Sequence, residues 1–478
     1  MSFTKKIKKD FRSPYGWIFI LLAGIRLFFN TVIPLTDKTE ARYGEVARLM
    51  AETGNWIVPQ IDYGIPFWAK PPLSTWLSAG TIKLLGDTEF ALRLPYWVMA
   101  ILIALLLTPF GHQKKINGLI PGIVLFTLPE FFLHAGVVST DMTLSFSVAL
   151  TMIGFWKFFH SEKSKNTGLL FFMGIGIGLL AKGPIIGILS FPPLFLWCIL
   201  QRISLKKIIQ MPWVLGGLLC LLIALPWYYL MEVHSPGFID YFIVGEHFLR
   251  FFDSSWSGDK YGFPKQQPLG IIWAFLLAGA LPWSIALLGQ LKNGLKNIWT
   301  DPGQLFLWLW ILWTPFFFTF SKSLIHTYTL PVMIPIALLI TYHWSTFKRK
   351  KAFLSIGVGL PILLLGAYFF KPAQTALKNS TDKYLVFHPK VKVEELYTLT
   401  YKSYSSQFYS RGKIKRISPD VLEKMLKDTS SFSIIMEKKS LKQIKPELLK
   451  KLKSLTVRRK NGLRSEEHTS ELQSPCNL

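Results

Sequence analysis

Residues 37–72 read DKTEARYGEVARLMAETGNWIVPQIDYGIPFWAKPP, and they follow the first long apolar segment of the chain. Asp37, Glu40, Glu45 and Glu52 fall early in this stretch, with Asp62 a little later. Lys70 stands alone, between the aromatic pair Phe67 and Trp68 and the prolines Pro71 and Pro72. Arg42, Glu45 and Leu49 recur at helical spacing, which predicts a short amphipathic helix over 39–53 ending near Gly54. Beside an apolar span such a helix lies in the membrane–water interface. Carboxylates and a fixed cation at that depth point to chemistry on a lipid-bound molecule.

The rest of the chain agrees with a membrane setting. Of 478 residues, 50% are hydrophobic and 15% aromatic. The apolar residues gather in runs of about 17–25, the length that crosses a bilayer. The formal charge is +26. The basic residues sit in short loops between apolar runs and in the last hundred residues, so the charge reads as topology and anionic lipid headgroups rather than nucleic acid. Cys198 and Cys220 lie inside apolar runs, and Cys476 lies in the tail. No disulfide framework or metal-ligand spacing is present.

Lys5, Lys6, Lys8, Lys9 and Arg12 precede the first span, near 15–34, which places the N-terminus in the cytoplasm and residues 36–90 outside. That span lacks a small-residue cleavage site and reads as an anchor rather than a signal peptide. Further spans are expected near 95–111, 117–136, 141–159, 168–181, 183–200, 212–231, 268–290, 304–320, 327–345 and 353–370. Every second loop is basic: Lys114 and Lys115; Lys163 and Lys165; Arg202, Lys206 and Lys207; Lys292 and Lys296; Lys348 to Lys351. The expected fold is an α-helical polytopic membrane protein of about 11 (range 11–13) transmembrane helices, with an interfacial helix in the first external loop. Residues 1–371 form that part. Residues 372–463 alternate β-like runs (Phe432 to Met436, Leu455 to Val457) with helical ones (Pro419 to Lys427, Leu441 to Leu452) and read as a small external α/β domain. Residues 464–478, RSEEHTSELQSPCNL, match nothing upstream in composition and read as a translated sequencing adapter, outside the fold.

Under this topology Asp37, Glu40, Asp141, Lys70, Lys182, His247, Arg250, Lys322, His326 and Tyr328 share the external face. Ionisable groups at a bilayer are costly and their convergence marks a site. The physical reading is group transfer from a phosphorylated lipid. Lys70, Arg250, Lys182 and Tyr328 are candidates to meet the charge that develops on a leaving phosphate. Asp37, Glu40 and Asp141 are candidates to take or orient the proton of an attacking hydroxyl. Duller roles stand beside these. Glu40 with Arg42, or Glu45 with Arg48, pair on a solvated helix face; Lys182 marks a span end; His247 is packed at the interface; Lys322 and His326 are ordinary loop residues.

TEARYGEVARLMAETGNWIVPQ (39–60) and FWAKPPLSTW (67–76) resemble the first external loop of the bacterial aminoarabinose-to-lipid A transferases and their protein-mannosyltransferase-like kin, which are GT-C glycosyltransferases. STDMTLSF (139–146), GLLAKGP (178–184), LPWYY (225–229), GEHFLRFF (245–252), LPWS (281–284) and SKSLIHTYTLP (321–331) continue the resemblance in order, and SSQFYSRGK (405–413) echoes it. The resemblance implies an inner-membrane enzyme that moves a sugar, with inversion, from a polyprenyl-phosphate donor to lipid A or another envelope acceptor on the periplasmic side. By position, Lys70 and Arg250 would contact the donor phosphate with Tyr328 assisting, Asp141 would be the second acid of the cavity, and Arg42 and Tyr43 would line it. One departure stands out. The family's Asp-Glu pair before the Arg-Tyr is here Thr39-Glu40. Either Asp37 supplies the missing carboxylate, or an acceptor phosphate attacks without a strong base. No metal cofactor is inferred, because lysine and arginine can meet the phosphate charge. The alternatives are a flippase or transporter of lipid-linked sugar, an O-antigen ligase-type enzyme and a non-enzymatic membrane scaffold; the sugar and the oligomeric state stay open.

Overall fold

The computed structural model describes residues 3–37, 39–160, 165–249, 260–261, 267–321, 323–399, 401–427, 432–437, 446, 452–459 and 469–475. Arg250, Lys322 and most of the helix expected over 441–452 lie outside them. The chain folds as a helical bundle, and each expected span coincides with helix. Several are interrupted where proline or glycine prevents a continuous ladder. The 117–136 run divides into Ile120–Phe126 and Pro129–His134, while the two spans expected at 168–181 and 183–200 are the separate helices Lys165–Lys182 and Ile185–Leu200 on either side of Gly183 and Pro184. Ile271–Gly279 and the helix starting at Trp283 meet at 107°. By length and composition, five described helices suffice to cross a membrane, or six if the bent pair is one span; 166–182, 185–200 and 326–342 are shorter apolar helices. The chain is a multi-pass membrane protein.

Thr140–His160 is the central helix, 78% buried, whereas Trp213–His234 and Lys350–Tyr368 are peripheral at 22% and 11%. Small residues make the central position possible. A Cβ on Gly174 would meet Thr151 Oγ1 at 2.4 Å, so Lys165–Lys182 packs backbone-close against the central helix only with glycine there. The peripheral helices leave Val214, Leu222 and Leu363 exposed, an apolar exterior suited to lipid.

The loop helix forms over Thr39–Thr53, as its spacing predicts. Its surroundings differ from the expectation. Nearly every residue from Glu40 to Ala51 is buried, so no broad face is left for a bilayer interface. The cover is the later part of the chain, where the helix Tyr404–Tyr409 packs on it. The Tyr409 hydroxyl accepts from Leu35 N at 2.8 Å and donates to Glu89 at 2.9 Å, and Lys402 pairs with Asp62. Glu45 and Arg48 do pair, at 2.7 Å, but inside the protein rather than on a solvated face. A hairpin follows, β1 (Gln60–Asp62) against β2 (Ile65–Pro66), and it delivers the chain to Lys70.

Beyond the last span, β3 (Leu396–Thr398), β4 (Lys415–Arg416), β5 (Ser433–Glu437), β6 (Leu452–Arg459) and β7 (Thr469–Pro475) form a sheet in the order β4-β3-β5-β7-β6. β3 is parallel to both β4 and β5, and β7 runs antiparallel to β5 and β6. β7 comes from the tail set aside above. The expected β-runs near 432–436 and 455–457 are strands, and Pro419–Met425 is helix. Leu422, Phe432, Ile434 and Met436 make a small core of their own. Leu385, Val386, Leu396, Phe408 and Tyr409 instead join the hydrophobic core of the bundle, so the first part of the 372–463 region is built onto the spans.

Candidate functional site

The junction of the loop helix with the bundle is fixed by one buried ion pair. Arg93, inside an apolar helix, donates to both carboxylate oxygens of Glu40 at 2.8 and 2.7 Å. Its remaining N–H groups reach the carbonyls of Asn30, Ile33 and Pro34, where the first span ends. Glu40 also accepts from Val138 N at 3.3 Å, three residues before Asp141. Burial alone would push the Glu40 carboxyl up, but the Arg93 guanidinium overrides it and holds the carboxyl below its ordinary 4.5. A carboxylate held so is a poor proton acceptor and a good strut.

Asp37 is engaged elsewhere. Its two oxygens accept from the Ser405 N–H, at 3.0 Å, and from the Ser405 hydroxyl. Of the three acids read from the sequence, Asp141 is the one paired with a candidate phosphate-binding cation, Lys182. Lys182 Nζ donates to Asp141 at 2.6 Å and lies 4.6 Å from the Tyr328 ring centroid. Lys182 is placed by its turn. Gly183 has φ +82°, and a Cβ there would meet Phe242 Cζ at 2.6 Å.

The segment Asp240–Leu249 closes over that turn. His247 sits between the backbone carbonyls of Phe242, at 2.7 Å from Nδ1, and Lys182. Burial outweighs these contacts and lowers the pKa of its imidazole, so it is neutral at pH 7. The same segment supplies Glu246, which accepts from Tyr241 at 3.2 Å and faces Lys70 Nζ at 3.4 Å. That is a long contact, and Lys70 also donates to its neighbour Ala69 O at 2.7 Å.

Tyr43 stands between the groups, its phenol acted on by Arg42, Asp141, Lys182 and Glu246. Burial raises its pKa, so it remains a hydrogen-bond donor. Arg42 donates to Tyr261 O at 2.6 Å, with its guanidinium near the Tyr43 and Phe67 rings. Lys260 lies 4.0 Å from the Trp68 ring centroid. His326 joins Glu130 and His134, its Nδ1 lying 3.0 Å from Glu130 Oε1.

The structure therefore brings together Tyr43, Lys70, Asp141, Lys182, His247, Tyr328 and, beside them, His326, and it places Asp37 and Glu40 in other partnerships. Glu246, Lys260, Glu130 and His134 escape the sequence reading. Glu246 falls within the quoted GEHFLRFF, and Glu130 and His134 are one helical turn apart, but their partners are too far along the chain for spacing to reveal. A cavity of about 360 Å³ lined by Trp156, His160, Asp301, Trp310 and Tyr342 is a separate feature. His160 and Asp141 lie at opposite ends of one helix, about 28 Å apart along its axis.

Residues 24–242 match the family Dolichyl-phosphate-mannose-protein mannosyltransferase. Among curated proteins, the chain is 26% identical over 341 residues to the undecaprenyl phosphate-alpha-4-amino-4-deoxy-L-arabinose arabinosyl transferase of Enterobacter sp. (strain 638), covering 68% of this chain and 58% of the relative. The protein of the same name from Aeromonas hydrophila is 28% identical over 313 residues, covering 64% and 55%. The match thus spans less than three-fifths of these relatives. The crystal structure of ArnT from Cupriavidus metallidurans bound to undecaprenyl phosphate superposes with a TM-score of 0.74 at 17% identity, covering 98% of this chain and 99% of that one. Its apo form gives 0.73. The helical, multi-pass membrane fold expected from the sequence is thereby confirmed, and the chain is similar in sequence and fold to the aminoarabinose transferases.

Proposed function

We propose that this protein is a glycosyltransferase that moves a sugar from a polyprenyl-phosphate donor to lipid A or another envelope acceptor at the periplasmic face of the inner membrane. The observation that carries the reading is the convergence of Lys70, Lys182, Tyr328 and Tyr43, from four separate segments, with the carboxylates Asp141 and Glu246. It is supported by the likeness to transferases whose names specify an undecaprenyl-phosphate sugar.

In this reading the acceptor oxygen attacks the anomeric carbon as the donor's phosphate leaves, and the bond between that carbon and the phosphate oxygen breaks. Lys70 meets the developing phosphate charge, with Arg250 expected beside it. Glu246, 3.4 Å from Lys70 Nζ, keeps it oriented until donor arrives. Lys182 is the second cation; its tie to Asp141 fixes its position. Asp141 orients an acceptor hydroxyl and receives its proton as the new bond forms, whereas an acceptor phosphate oxygen has no proton to lose. Glu40 and Asp37 position the loop rather than take a proton. Residues 1–371 are the catalytic bundle, and 372–463 are the cover of its first loop.

Binding tests the donor part of the reading. Purified chain in lipid nanodiscs is expected to bind undecaprenyl phosphate, and Lys70→Ala is expected to weaken binding at least about tenfold, the loss of one charge-assisted contact. Equal binding by the variant would remove Lys70 from the donor site.

A further inference from the structure

Glu130, His134 and His326 offer a carboxylate oxygen and two imidazole nitrogens that all lie within 4.8 Å of one another. We propose that these three side chains form a binding site for a divalent transition-metal ion of the zinc class, beside the site described above.

The donor set carries the choice of ion. Two imidazoles and one carboxylate suit Zn²⁺, whereas calcium and magnesium take mainly oxygen. The spacing fits: bonds of about 2.0–2.1 Å in a tetrahedron put ligand atoms about 3.3 Å apart. Here Glu130 Oε1 is 3.0 Å from His326 Nδ1, and one ligand atom from each of the three side chains lies within 4.8 Å of the others. His134 is prepared for the role. Its Nδ1 is 2.7 Å from the Glu130 backbone carbonyl, and donating there leaves Nε2 with its lone pair free to bind an ion. A ring nitrogen that donates to a carbonyl while the other binds metal is the usual way such a ligand is oriented.

The surroundings favour a bound ion over a simple His–Glu hydrogen bond. The Glu130 and His134 side chains are buried while His326 is half exposed, so the group is walled on the protein side and reachable from outside. Glu130 is also packed under Gly279, where an added Cβ would meet the Glu130 Cβ at 2.8 Å, so the two helices come this close only with glycine there. Three protein ligands leave a tetrahedral ion one position for water or a substrate oxygen.

The ion would tie two elements distant in sequence. His326 opens the short helix His326–Val332, which carries Tyr328 over Lys182. A metal holding His326 to Pro129–His134 fixes that helix and so positions Tyr328. This role stands whether or not the sugar transfer proposed above is correct.

The test uses the full chain in detergent, without an affinity tag, stripped with a chelator and with its cysteines blocked. Zn²⁺ alone is added and quantified after desalting, and Co²⁺ is added in parallel to read coordination from its visible absorption. The expected result is saturable uptake near one Zn²⁺ per chain, Co²⁺ bands of tetrahedral intensity, and a rise in Tm on adding Zn²⁺. His326→Ala, at a half-exposed position, is expected to weaken binding more than tenfold while keeping the wild-type elution profile; His234→Ala, at an exposed histidine elsewhere, is expected to bind as the parent does. No saturable uptake, or equal uptake by the parent and His326→Ala, would overturn the proposal. The Co²⁺ spectrum needs no variant, and its absence at saturating Co²⁺ would overturn it independently.

Discussion

Arg93 shows how a charge is tolerated in an apolar helix: every donor that reaches inward finds an oxygen, two on Glu40 and the rest on the carbonyls that end the first span. Removing one partner of a buried pair strands the other, at a cost of about 3–5 kcal/mol. Arg93→Ala is therefore expected to destabilise the protein by about that much in denaturant unfolding. The Glu40 carboxyl gives this pair a pH signature. Its folded pKa lies below the unfolded 4.5, so its contribution is complete above 4.5 and is lost as pH falls through the folded value. Thermal unfolding should show a stability step below pH 4.5 that Glu40→Gln lacks. Lys70, Asp141 and Lys182 are legible in the sequence because charge beside an apolar run is conspicuous. The partner of Glu40, 53 residues away, and that of Lys70, 176 residues away, are not, since local spacing carries no record of contacts made by folding.

At the scale of elements, the loop helix Thr39–Thr53 is placed correctly by its 3.6-residue period but not its environment. An amphipathic pattern says that one face is polar; it does not say whether water, headgroups or protein covers it. Here protein does. The Tyr409 hydroxyl accepts the Leu35 N–H in a buried setting, so Tyr409→Phe should cost about 1–3 kcal/mol by leaving that group unsatisfied. Unfolding of the variant checks this, with Tyr401→Phe, half exposed, as the comparison. The Lys182–Gly183 turn makes a second demand. Gly183→Ala combines a left-handed backbone with a 2.6 Å contact on Phe242, and should displace Asp240–Leu249 from the turn. Increased hydrogen exchange over 240–249 would register that displacement; unchanged protection would show that the turn does not hold the segment.

Across the whole molecule, hydropathy locates the helices because lipid demands length and apolarity, yet it cannot say which of them break. Proline within apolar runs cuts 117–136 and 268–290, so the described long helices number fewer than the apolar runs. The basic loops give the orientation proposed here, and cysteine labelling in a cysteine-free background checks it. Asn55→Cys should react with an impermeant maleimide in cells with a permeabilised outer membrane, and Ser204→Cys only after the inner membrane is opened. The inverse pattern would turn the site to the cytoplasm. The central claim, transfer of a sugar from a lipid phosphate, is tested most directly by mass spectrometry of lipid A and other envelope glycans from cells carrying the parent chain or Lys70→Ala. A species heavier by one sugar in the parent, and lost in the variant at equal protein level, is the predicted result. The same species in both, or no new species in either despite a supplied donor, would contradict it.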